Sequence, residues 1–436
     1  MDPIKVGLLG SGVVGGGTYR VLARNQSEIT RRAGRGIEIV VVGARNVERA
    51  RAVIGDGPRI ETDLMRVVTD PEVEIVVEAI GGETPARQLV LAALAAGKHV
   101  VTANKALLAL HGNEIFAAAQ GAGLMVAFEA AVGGGIPIIK ALREGLTANR
   151  VEWIAGIING TSNYILSQMY EFGEPFANAL ASAQRLGYAE ADPRFDIEGI
   201  DSAHKLSILS AIAFGIPVQF ASCHTEGIAT LNALDVRYAL ELGYRIKLLG
   251  IARRAADGIE LRVHPTLIPR RRLIANVEGV MNAVLVNGDA VGATLYCGAG
   301  AGAEPTASAV VADLVDVTRL HTADPEHRVP HLAFQPDALV ATPILPMGEV
   351  ETACYLRLRV LDQPGVLADI TRILADARIS IDAFLQKEPE EGQDETDIIM
   401  LTHRAREKHV TAAIWRIEAL ATVRSRVTRI RLESLS

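Results

Sequence analysis

Residues 4–15 read IKVGLLGSGVVG, an apolar β-branched run followed by glycines at 10, 12 and 15 and then by a helical pattern. No other stretch constrains the fold as tightly, because each glycine answers a separate steric demand of a strand that turns straight into a helix beside a ligand. Gly10 permits the tight turn, Gly12 lets a pyrophosphate reach the backbone, and Gly15 lets helix and strand pack closely. The residues expected against a dinucleotide are therefore Gly10, Gly12, Val13, Val14 and Gly15. Taken alone, the motif also fits a glycine-rich turn with no ligand. Its place at the head of an alternating pattern favours the dinucleotide.

That alternation runs to residue 128. Strand-like runs at 4–9, 37–42, 75–77, 100–102 and 124–128 are separated by Ala- and Leu-rich helical stretches. Runs this apolar suit parallel strands covered on both faces by crossover helices, so residues 1–130 are predicted to form a Rossmann-type, doubly wound α/β domain. The region 131–320 alternates less regularly, with a strand over 151–158 and a long helix over 201–214, and reads as a second, α+β domain. Whether the helical stretch 307–320 returns to the first domain is open. Residues 321–349 carry prolines and turn signals and are expected to be a linker or meandering connection. Beyond it, strand 354–361, helix 365–377, strands 379–386 and 396–402, helix 408–420 and strand 423–432 spell a ferredoxin-like βαββαβ domain over 350–436.

A chain of 436 residues outgrows a single core, which fits this division. Its 44 basic and 51 acidic residues leave a formal charge of -7, so neither nucleic acid nor an anionic membrane is an expected partner. Cys223, Cys297 and Cys354 are too scattered for a disulfide framework or a metal knuckle, which fits a reducing compartment. The N-terminus enters a strand directly and the apolar runs fall short of the roughly 18 residues a membrane span needs. A cytoplasmic location is expected.

Polar residues at special positions mark the chemistry. The second strand ends in Gly43-Ala44-Arg45-Asn46, without the acid that often grips a ribose hydroxyl, so Arg45 is a candidate for a 2′-phosphate and equally readable as a solvated loop residue. Thr102, Asn104 and Lys105 lie just past the fourth strand-like run, where open α/β sheets bind ligands. Asp201 and Lys205 are one helical turn apart, within an acid-rich stretch that also holds Glu190 and Asp196. The plain reading is a solvated ion pair worth a few tenths of a kcal/mol. The chemical one is that hydride transfer to a carbonyl needs a proton donor, which a carboxylate-held lysine supplies. Glu190 could grip a substrate ammonium, and Glu129 beside the 133–135 glycines offers oxygen ligands for a hard cation, or simply a hinge.

Six stretches, GLLGSGVVG, VTANKALLA, FEAAVGGGIPII, GIINGTSNYIL, GYAEADPRFDIEGIDSAHKL and GAGAEPTASAVVADL, together resemble homoserine dehydrogenase, in family order and along nearly the whole chain. The resemblance implies NAD- or NADP-dependent interconversion of L-homoserine and L-aspartate 4-semialdehyde, on the route to threonine, methionine and isoleucine. It makes 131–320 the catalytic and dimerisation domain, with Lys205 the proton donor and acceptor and Asp201 supporting it. It places Lys105 between cofactor and substrate, Glu190 and Asp196 at the substrate, and Thr102, Asn104 and Gly302 at the cofactor. It further implies a structural sodium ion, held by the Glu129 carbonyl or carboxylate and by backbone at Val132, Gly134 and Ile136. Ala299 stands where the family often has proline and Ser162 where threonine is common, mild departures that bear on loop stiffness.

The tail, YLRLRVLDQPGVL followed by Ile379-Ser380-Ile381, looks like an ACT domain. Such domains pair and bind amino acids, and the implied effector is threonine as feedback inhibitor, received by Asp362, Pro364, Gly365, Val366 and Leu367 at the opening of the first helix. The alternative is an oligomerisation module that binds no effector. Two other readings were weighed against this one. A hydroxyacid dehydrogenase with an ACT tail wants a catalytic histidine near a carboxylate, and only His204 offers itself; a non-catalytic dinucleotide sensor needs neither Glu190 nor Lys205. A homodimer or homotetramer is the default assembly.

Overall fold

The computed structural model describes residues 2–388 and 392–435, which divide into two compact units. The first takes the chain up to Gly160, Asp201–Ala221 and Val280–Thr342; the second takes Thr161–Ile200, Ser222–Gly279 and the chain from Pro343 on.

In the first unit, β1 (Ile4–Leu9), β2 (Ile37–Gly43), β3 (Arg59–Glu61), β4 (Ile75–Glu78), β5 (His99–Thr102) and β6 (Val126–Ala127) form a six-stranded sheet in the order β3-β2-β1-β4-β5-β6. Every pairing is parallel. The sheet is therefore doubly wound, and the order reverses between β1 and β4, where such folds bind ligands. β3 lacks the apolar run that announces the others, and β6 is shorter than its sequence suggests. An antiparallel sheet of Val151–Ile157, Met281–Gly288 and Gly292–Ala299 completes the unit.

Four helices position the candidate site: α1 (Val13–Arg24), α2 (Lys105–Gly121), α3 (Ile200–Phe214) and α4 (Ala303–Leu320). α4 returns to the nucleotide sheet. Its Ala307, Val310, Leu314 and Val317 join Ile4, Val6, Leu8 and Val42 in one buried cluster. The approach is close enough that a Cβ at Gly17 of α1 would stand 2.4 Å from the Ala303 carbonyl oxygen. Glycine in a helix is normally a cost of about 1 kcal/mol; here it admits a helix from the far end of the sequence.

The second unit contains a hairpin, Tyr244–Ala255 with Gly258–Pro269, that sequence periodicity did not announce. Its strands carry charge inside: Arg262 is buried between Glu260 and Glu433, donating at 2.9 and 2.6 Å. The C-terminal βαββαβ is present as expected, with strands Glu351–Leu361, Ile381–Gln386, Glu395–Thr402 and Thr428–Leu432 and helices Val366–Asp376 and Glu407–Glu418 around a single core.

In the last strand of the C-terminal domain, Arg431 and Leu432 pair in parallel with Thr266 and Leu267 of the hairpin. Arg431, only 2% exposed, donates to Glu226 at 2.7 Å and to Glu407 at 2.9 Å, while Arg357 and Tyr355 reach Asp235 at 2.6 and 3.2 Å. Within 321–349, backbone and side chains find fixed partners. Arg328 donates to the Gly123 carbonyl, His331 accepts from Val126 N, and Ile259 N donates to Pro343 O.

Candidate active site

The glycine turn has the geometry its sequence predicts. Gly10 adopts φ +95°, and a Cβ at Gly15 would fall 1.9 Å from the Gly10 carbonyl oxygen, so no other residue fits there. Gly12, in contrast, has nothing within 4 Å of the place a Cβ would take. It faces a groove of about 420 Å³ lined by Gly10, Gly12, Arg45, Arg49, Ile80 and Gly81. Val13 is exposed at the start of α1, so the first N–H groups of a 12-residue helix open toward the same place. These residues fit a dinucleotide. Arg45 is exposed at the end of β2, Asn46 caps the next helix by accepting from Arg49 N, and Arg49 supplies a second guanidinium that sequence reasoning missed.

Thr102 and Asn104 stand at the carboxyl end of β5 with their side chains turned to their own fold. Thr102 Oγ1 donates to Glu78 Oε2 at 2.6 Å and accepts from Asn104 N at 3.0 Å. Asn104 caps α2 by accepting from Leu107 N and donates to the Gly82 carbonyl at 2.7 Å. Glu78, unremarked in the sequence, is fully buried. Its only signal was an acid closing an apolar strand.

Asp201 and Lys205 lie on α3, whose residues from Asp201 to Phe214 are all buried, so the solvated ion pair is not what forms. Asp201 is 2% and Lys205 7% exposed. Lys205 Nζ donates to Asp201 Oδ2 at 2.7 Å and to the Ile158 carbonyl at 2.7 Å. Asn159 Nδ2 donates to the same Oδ2 at 2.8 Å, and Lys105 Nζ lies 2.9 Å from Oδ1. One carboxylate thus holds two ammonium groups. Burial alone would raise the Asp201 carboxyl, but Lys205 and Lys105 outweigh it and hold it well below the usual carboxylate range. His204, packed edge-on against Phe220, is pushed down to about 4 by burial and is neutral at ordinary pH.

Glu129 is buried, and its two oxygens accept from Ile139 N and Lys140 N at 2.8 Å each, which makes the carboxylate expected as a cation ligand a helix cap. The Ile136 carbonyl accepts from Ile138 N, and Gly134 packs against Gly300. Val132 and Gly134 leave backbone carbonyls, not side chains, as the oxygen donors of this loop. Gly302 is the N-cap of α4, with φ +129°.

Glu190 and Asp196 belong to the second unit; Glu190 is exposed and its carbonyl accepts from Gln184 Nε2. In the C-terminal domain Asp362 N donates to Asp394 O, Asp362 Oδ1 accepts from Gln386, and Gly365 takes φ +96° as the N-cap of Val366–Asp376. Val366 is buried in the domain core.

The family model described as Homoserine dehydrogenase matches residues 137–315, and that described as Homoserine dehydrogenase, NAD binding domain, matches residues 10–129. The model of the ACT domain matches residues 355–421. A homoserine dehydrogenase of Pseudomonas aeruginosa is 61% identical over 436 residues, and one of Neisseria gonorrhoeae 56% identical over 435, each comparison covering 100% of both chains. A crystal structure of a homoserine dehydrogenase from Thiobacillus denitrificans superposes with a TM-score of 0.96 at 70% identity, covering 100% of this chain and 99% of that one. The chain belongs to the homoserine dehydrogenase family, as an NAD(P)-dependent oxidoreductase with a C-terminal ACT domain.

Proposed function

We propose that Lys205 carries the proton in the interconversion of L-homoserine and L-aspartate 4-semialdehyde, and that Asp201 holds it in place. The observation that carries this reading is the buried Asp201 carboxylate shared between Lys205 and Lys105. A bound nicotinamide supplies or takes the hydride. As the semialdehyde carbonyl becomes an alkoxide, a lysine ammonium delivers a proton to that oxygen; in the reverse direction the lysine receives it. Asp201 keeps both ammonium groups charged and in register, and Lys105, on the first turn of α2, adds positive charge toward the developing oxygen. For Glu190 at the substrate ammonium, for Asp196 at the substrate and for Gly302 at the cofactor, the support is the family motifs alone.

Arg45 and Arg49, with no acid at the end of β2, support NADP over NAD as coenzyme. Sodium, in this reading, rests on the Glu129 carbonyl or carboxylate and on backbone oxygens at Val132, Gly134 and Ile136, and no chemical step passes through it. The ACT domain receives threonine as feedback inhibitor at Asp362, Pro364, Gly365, Val366 and Leu367, and the enzyme serves threonine, methionine and isoleucine synthesis in the cytoplasm as a homodimer or homotetramer. The family's pathway and the ACT fold support these finer assignments. Among the described residues no helix is long and apolar enough to cross a membrane. The test is a spectrophotometric assay with L-homoserine and either NADP or NAD, repeated with threonine. The reading expects turnover with homoserine, faster with NADP and reduced by threonine. No homoserine-dependent turnover would overturn the enzymatic assignment, and indifference to threonine the regulatory one.

A further inference from the structure

Glu78 ends β4 with a carboxylate that is 0% exposed, after a strand whose other residues are apolar. Burying such a group is costly unless its oxygens are satisfied. Here Oε1 accepts from Ile80 N and Gly81 N at 3.0 and 3.1 Å, and Oε2 accepts from the Thr102 hydroxyl at 2.6 Å. Burial pushes its carboxyl up, opposed by these hydrogen bonds, and three converging donors suit the ionised form.

Those three bonds tie together two loops that matter for different reasons. Residues 79–81 line the dinucleotide groove, and the Ala79 carbonyl oxygen would stand 2.9 Å from a Cβ at Gly10, so this loop leans on the glycine turn itself. The other loop runs from Thr102 through Asn104, which is bonded back to the Gly82 carbonyl and caps α2, to Lys105 and its contact with Asp201. A side chain that merely filled space would pack as well but would hold neither loop.

We propose that Glu78 is a positioning residue for the dehydrogenase reaction, setting the wall of the dinucleotide groove and the placement of Lys105 through one buried carboxylate. The inference rests on the reading of that groove and of Lys105 given above. Glu78→Gln keeps shape and volume but removes the charge: its carbonyl accepts on one side only, and the Thr102 hydroxyl, which already accepts from Asn104 N, must turn from donor to acceptor toward the amide NH2, so the charge-assisted link between the loops is lost. It is expected to raise KM and Kd for the dinucleotide about tenfold through the groove wall, the Kd read by fluorescence of the reduced coenzyme, and to lower kcat by a similar factor through the displaced Lys105. Thr102→Val cuts the same link and gives the same pattern, Thr102→Ser restores it, and the double variant is no worse than either single one.

Unchanged KM and Kd in both variants, whatever happens to Tm, would overturn the proposal, as would fully additive losses. If Glu78→Gln does not fold, the contrast between Thr102→Val and Thr102→Ser decides alone. Absence of homoserine turnover in the unaltered enzyme would instead defeat the enzymatic reading, and the dinucleotide Kd of the variants would then decide the positioning role.

Discussion

Lys205 Nζ lies 2.7 Å from Asp201 Oδ2, one turn along a helix with no solvated face. A surface pair at this spacing would contribute a few tenths of a kcal/mol, whereas breaking a buried one by removing a single partner costs about 3–5 kcal/mol, because the other charge is left stranded. Placing two lysines on one buried carboxylate is therefore poor value for stability alone and well suited to holding a proton donor.

Asp201→Asn is expected to lower kcat by about 10² while leaving the dinucleotide Kd within about twofold. Without the anion, Lys205 and Lys105 repel one another, so the alkaline limb of the rate profile for semialdehyde reduction moves to lower pH. A variant with the unaltered profile would separate Asp201 from the proton transfer.

Arg45→Ala and Arg49→Ala are each expected to lower the ratio of kcat/KM for NADPH over NADH by about tenfold, since each removes a charge-assisted bond to a 2′-phosphate. An unchanged ratio in both would return these arginines to the solvated surface.

Stability depends on pH in two opposed ways. Burial raises Glu226, but His224 and Arg431 outweigh it and hold its carboxyl far below the usual value, so its contribution is present above about pH 4.5 and lost as pH falls through the folded value. Asp313 is the reverse case: burial and then Glu129 push it up to about 7, so the folded state keeps a proton the unfolded chain releases, and stability declines as pH rises from the ordinary carboxylate range through 7. Asp313→Asn should therefore raise Tm at pH 8 relative to the unaltered protein and change it less at pH 5, as scanning calorimetry would record. A uniform shift at both pH values would contradict this.

The sequence read well wherever chemistry is local. The glycine turn, the apolar parallel strands and the Asp201–Lys205 spacing are written within a few residues, whereas the burial of that pair is not. What stayed hidden depends on partners far along the chain. The hairpin Tyr244–Pro269 looks too charged for a core strand because Arg262 finds its anion at Glu433, 171 residues away. Glu78 gains its tie to the second loop from Thr102, 24 residues away, and the Glu129 carboxylate its partners from the N–H groups of Ile139 and Lys140.

The same hidden network bears on regulation. Ending the chain after Gly348 would leave Asp235 without Tyr355 and Arg357, Glu226 without Arg431, and Arg262 without Glu433. Such a truncation is expected to be aggregated or to melt far below the full chain, whereas Asp362→Ala should keep Tm within a few degrees and weaken the proposed threonine inhibition at least tenfold. A truncated protein with the original Tm would show that these pairs contribute little.

Turnover of Lys205→Ala with L-homoserine, measured beside its affinity for the reduced coenzyme, isolates the proton transfer. A loss of about 10² to 10⁴ in kcat is expected, with coenzyme Kd unchanged within about twofold. Near-original turnover in that variant, with the fold intact, would contradict it.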